Sequence, residues 1–124
     1  TLPEHFSVMA RLHVVPTDDV DSGRALVRAA FGPYFGQPVY NRFLAWIGYP
    51  DEAAAIATAF AAGNRDGVAH AMHDRLVDDV ALVGPTKRIR ARLDEYDSAG
   101  LDVAALNVIA GSAAEVAGAL RALV

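Results

Sequence analysis

Val80–Gly111, VALVGPTKRIRARLDEYDSAGLDVAALNVIAG, is the stretch whose reading decides the fold. It reads as strand, glycine turn, amphipathic helix, glycine stop and strand, the order of a parallel βαβ unit. Ile89, Leu93 and Tyr96 recur at i, i+4 and i+7 and form one apolar stripe on a helix. Gly100 stands where that helix must end, and Leu101 can fold back on its last turn. Val103–Ile109 is almost wholly apolar, the pattern of a strand covered on both faces. The unit carries no catalytic signature. Function therefore depends on the architecture to which it belongs.

Upstream, residues 6–15 read as a strand that ends at Pro16-Thr17. Thr17 or Asp18 is placed to cap the next helix, with Asp18, Asp19 and Asp21 where the helix dipole favours negative charge. Gly32-Pro33 is expected to disturb that helix, because proline removes a backbone donor. Pro38 opens a second helix through Ile47, with Tyr40, Phe43, Leu44 and Ile47 as its apolar face. Glu52–Ala62 forms a third, with Ile56 and Phe60 inward. A fourth helical stretch, broken or kinked near His73-Asp74, reaches Asp79 with Val68, Met72, Leu76 and Val77 inward. Downstream, residues 112–123 form a last helix behind an S-x-x-E capping box of Ser112 and Glu115.

Hydrophobic residues make up 53% of the 124-residue chain and charged residues 21%, the composition of one globular domain. A net charge of −4 argues against general binding to nucleic acid or an anionic membrane. With no cysteine, thiolate metal sites, disulfides and thiol nucleophiles are excluded. No apolar run approaches the ~20 residues of a membrane span, and no signal peptide opens the chain. A cytoplasmic protein is the expectation. About three parallel strands result, too few to close a barrel. An eightfold βα barrel takes ~250 residues, so the chain reads as part of something longer. Its start at Thr1, almost directly in a strand, fits that expectation.

DRLVDDVALVGPTKRIRARLDEYDSAGLDVAALNV (74–108) resembles the closing segment of the luciferase-like monooxygenase superfamily. YFGQPVYNRFLAWIGYPDEAAAIATAF (34–60) is similar to the helical insertion of its actinobacterial branch, and ARLHVVPTDD (10–19) resembles the barrel strand before it. One departure stands out. The family usually carries Gly-Thr-Pro at the turn, whereas this chain has Gly84-Pro85-Thr86, which moves a Thr86 cap one residue on. The resemblance implies an α/β fold, a partial (β/α)8 TIM barrel of about three parallel strands with a helical insertion after the first. It implies an oxidoreductase using F420 or FMN for hydride transfer to or from a small organic substrate, and a homo-oligomer. Most ring-holding residues of the family lie in N-terminal strands that this chain lacks, so no catalytic residue is carried over and the chain alone is expected to be inactive. The competing reading is a non-enzymatic α/β module that self-associates through open strand edges.

Barrel ligands sit at the carboxyl ends of strands. Lys87 and Arg88 are the candidates for an anion, such as a cofactor phosphate or the acidic tail of F420. Arg90, Arg92, Asp94, Glu95 and Asp97 complete a charge order that opposes the helix dipole, and the plain alternative is a solvated face with pairs such as Arg90–Asp94. Ser112 is either an anion site at a helix start or a simple cap. Asn107, the polar residue of an apolar strand, either faces the barrel and orients a carbonyl or is a satisfied core amide. His13 is either a hydrogen-bonded structural histidine or an acid/base group. His70, His73 and Asp74 give H-x-x-H-D without a third ligand of suitable spacing, so no metal site is expected.

Overall fold

The computed structural model describes residues 3–124. Contacts divide the chain into two compact units, one of residues up to Gly23 with Ala81–Val124, the other Arg24–Val80.

The first unit holds three strands, β1 (Met9–Pro16), β2 (Leu82–Gly84) and β3 (Val103–Val108), with helices α6 (Thr86–Ser98) and α7 (Ala113–Leu123). All pairings are parallel, as the sequence implies, in an open sheet of order β2-β1-β3. β1 thus lies between the two strands that α6 joins. β2 offers three residues and makes three register pairs with β1, whereas β3 makes six with β1, from Met9↔Val103 to Val14↔Val108. The first strand also starts later than residue 6, at Met9. Phe6 and Val8 are exposed, and Val8 is tied by its N–H to Asp102 Oδ2 at 2.7 Å.

Alternation in the strands sorts their side chains into two faces. Leu12, Val14, Leu82 and Ile89 form the buried cluster of one face, joined by Leu93, Tyr96, Leu101, Leu106 and Leu123. This is the stripe of α6 seated on the sheet. The helix stops as expected: Gly100, at φ +99, lets its N–H reach Asp97 O at 2.9 Å while Leu101 N–H reaches Tyr96 O at 3.1 Å. Its start differs. Pro85 occupies the cap position and Thr86 is the first helical residue, with no side-chain cap bond. The other face carries Arg11, His13, Val15, Val83, Ala105 and Asn107. Gly23, in the first turn of α1 (Val20–Phe35), closes on that face: a Cβ there would lie 2.6 Å from Val83 Cγ1 and 2.7 Å from Thr17 Cγ2. β3 is half-buried at best, not covered on both faces, because it is an edge strand.

The second unit is helical: most of α1, then α2 (Pro38–Trp46), α3 (Pro50–Ala61), α4 (Arg65–Ala71) and α5 (Asp74–Val80). Its core is Val27, Leu44, Ile56, Met72, Leu76 and Val77. Pro33 does not break α1. It stands within the last turn, where it removes one donor and the helix ends two residues later, at Phe35. The cap of α1 is Asp19, not Thr17 or Asp18: its carboxylate accepts from Ser22 N–H at 3.1 Å, and the Ser22 bonds hold its carboxyl below the ordinary range. On α2 only Leu44 is buried; Tyr40, Phe43 and Trp46 are exposed, Trp46 at 82%.

Ile89 is fully buried where α6 meets β1 and β2. Ile89→Ala is expected to cost about 2–5 kcal/mol, read as a fall in the urea midpoint without a change in slope.

Candidate functional site

The carboxyl end of the sheet is assembled by short backbone links. Thr17 N–H donates to Gly84 O at 2.9 Å, joining the ends of β1 and β2, and Ile109 N–H donates to Val14 O at 2.8 Å, joining β3 to β1. Behind this rim, on the sheet face opposite α6, the structure brings together two of the sequence candidates. His13 and Asn107 are register partners, and Asn107 Nδ2 lies 2.9 Å from His13 Nδ1. Burial first, and then the positive charge of Arg11, lower the pKa of His13, so the imidazole is neutral at pH 7. Strand alternation turns Asn107, with His13, to the sheet face away from α6 and α7.

Lys87 and Arg88 lie in the first turn of α6, just after the end of β2, and both are exposed. The stem of Arg88 lies over Gly84, whose φ of +137 and missing Cβ make room for it: a Cβ would sit 2.9 Å from Arg88 Cδ. An ion pair on α6 joins Arg92 to Glu95 at 3.4 Å, and among the described residues none joins Arg90 to Asp94. Ser112 is the cap of α7. It accepts from Glu115 N–H at 3.2 Å, and Glu115 Oε2 accepts from Gly111 N–H at 2.7 Å. Lys87 and Arg88 in the first turn of α6 and Ser112 at the cap of α7 thus stand, with Asn107, toward the carboxyl end of the sheet but on separate elements.

Two members of the H-x-x-H-D stretch, His73 and Asp74, are engaged in structural contacts. His73 Nδ1 accepts from Leu76 N–H at 3.3 Å, so Nε2 carries the proton toward Glu52 Oε1 at 3.0 Å. Asp74 pairs with Arg28 at 2.7 Å and Arg24 at 3.4 Å. No group of three or more His, Asp or Glu suited to a metal occurs among the described residues. Sequence reading missed a second polar pair: Tyr49 OH donates to Asp79, beside the His73 ring at 5.7 Å. The partners are 30 residues apart, and no local pattern announces them.

The luciferase-like monooxygenase family profile matches residues 2–103. The chain belongs to that family. It is 31% identical over 123 residues to a protein of Mycobacterium tuberculosis (strain ATCC 25618 / H37Rv) whose provisional name is coenzyme F420-dependent oxidoreductase. That match covers 91% of this chain and 34% of the relative, so the chain spans about a third of the relative's length. No solved structure matches. No helix among the described residues is long and apolar enough to cross a membrane.

Burial first, and then the bond to Asp79, push the Tyr49 phenol up to about 12. A raised folded value means that its stabilising contribution is intact below the ordinary phenol range near pH 10 and is lost as the pH rises toward 12. Denaturant titrations should therefore show wild type losing stability more steeply than Tyr49→Phe across that window; parallel curves would contradict this.

Proposed function

We propose that this chain supplies C-terminal strands of an oxidoreductase that uses F420, or FMN, to move hydride to or from a small organic substrate. The observation that carries the reading is the His13–Asn107 pair on the sheet face turned away from α6, behind a carboxyl rim that holds Lys87 and Arg88. Family membership and the F420-dependent name of the relative support the same reading.

The residues present fit such a cofactor in part. The amide of Asn107 and the ring of His13 suit a carbonyl of a flavin-like ring. Lys87 and Arg88 suit the phosphate or acidic tail, as exposed cations in the first turn of α6, the positive end of the helix dipole. Ser112 suits it least, because an anion there must displace Glu115 from the Gly111 N–H. When bound, the cofactor supplies the hydride chemistry, and the protein binds and orients it. The chain alone is inactive on this reading, and the active protein is a cytoplasmic homo-oligomer acting on a small molecule. The open outer edges of β2 and β3 favour a second reading, a non-enzymatic module that self-associates by strand pairing.

Absorbance titration of the longer protein containing this chain, with F420 and with FMN, tests the proposal. Saturable binding of one of them is expected, and Lys87→Glu with Arg88→Glu should weaken it at least about tenfold, or ~1.4 kcal/mol. Binding of neither cofactor would overturn the reading.

A further inference from the structure

Three facts about β1 and β3 combine. Their parallel register sets His13 directly opposite Asn107. Asn107 is the polar residue of β3, whose sequence is VAALNV. Its amide nitrogen, not its oxygen, stands 2.9 Å from His13 Nδ1.

An amide NH₂ only donates. Nδ1 must then be the accepting nitrogen, and the proton of the neutral ring sits on Nε2. The imidazolium form does not fit, since it would set an N–H of the ring against an N–H of the amide. Arg11, two positions along the same strand face, adds a positive charge that further opposes protonation.

We propose that Asn107 is a positioning residue for His13: it fixes the neutral imidazole as the Nε2–H tautomer and so makes the ring a hydrogen-bond donor to a ligand's carbonyl or enolate-type oxygen. The same constraint removes His13 as a metal ligand or proton acceptor, because either role needs the Nε2 lone pair. The ligand class rests on the oxidoreductase reading above, whereas the tautomer does not.

Long-range proton–nitrogen NMR of the histidine-labelled chain at pH 8, without cofactor, tests this, with His13→Gln used for assignment. Wild type should show His13 with a protonated Nε2 and a pyridine-like Nδ1. Asn107→Asp replaces the donor by a charged acceptor, so the proton should move to Nδ1 and the titration midpoint should rise by about one to three pH units. A wild-type ring protonated at Nδ1, or an Asn107→Asp ring with unchanged tautomer and midpoint, overturns the proposal. The wild-type spectrum decides the matter even where the variant fails to fold. Since no cofactor is present, failure here is distinct from failure of the oxidoreductase reading, which the cofactor titration addresses.

Discussion

β1 carries the α/β unit because both of its backbone edges are filled, by β2 on one side and β3 on the other. Everything else in that unit is placed relative to this strand. Leu12 and Val14 on one face receive Ile89 and Leu93 of α6, while His13 and Val15 on the other lie beside Asn107 and Val83. A slip of one residue in the β1–β3 register would exchange the faces. It would drive the His13 imidazole into the apolar layer and move Leu12 to the opposite face. The apolar layer thus enforces the register, and the register is what sets two polar side chains opposite each other. Packing and candidate chemistry are two consequences of one alternation.

The helical unit is held differently. Its apolar core of Leu44, Ile56, Met72 and Leu76 is framed by charged pins: Arg24 to Asp78 at 2.8 Å and Arg28 to Asp74 at 2.7 Å. Arg24 and Arg28 are one turn apart on α1, and Asp74 and Asp78 one turn apart on α5, so two helices meet with matched ladders. Arg28 also donates from Nε to Met72 O at 2.7 Å, which satisfies a carbonyl at the break between α4 and α5. Tyr49 and His73 close the other side of that break. His73 and Asp74, two of the three residues of the H-x-x-H-D pattern, are engaged in these contacts.

Features with local causes were legible in the sequence. Gly100-Leu101 announces the end of α6, Ser112 with Glu115 announces the start of α7, and Pro38 and Pro50 sit at the first turns of α2 and α3. The stripe of Ile89, Leu93 and Tyr96 predicts which side of α6 meets the sheet. Features decided at long range were not legible. Apolar strand sequence does not say which edge of β1 the third strand takes; the six pairs available there, against three on β2, do. Periodicity shows that Tyr40, Phe43 and Leu44 share a region of α2, but whether a neighbour covers them is a tertiary matter, and only Leu44 is covered. Asn107 illustrates both limits. Its oddity in an apolar strand marks it from the sequence, yet its facing is settled only by its opposite number 94 residues away.

The central position of β1 can be read directly through its hydrogen bonds. Scalar couplings across hydrogen bonds in the doubly labelled chain should connect Ile109 N–H to the Val14 carbonyl and Thr17 N–H to the Gly84 carbonyl, the 2.8 Å and 2.9 Å links at its two edges. Both couplings in one sample would establish β1 between β2 and β3. Loss of the Ile109–Val14 coupling, with β3 amides instead coupled to carbonyls of Leu82 or Val83, would contradict the arrangement from which the site is built.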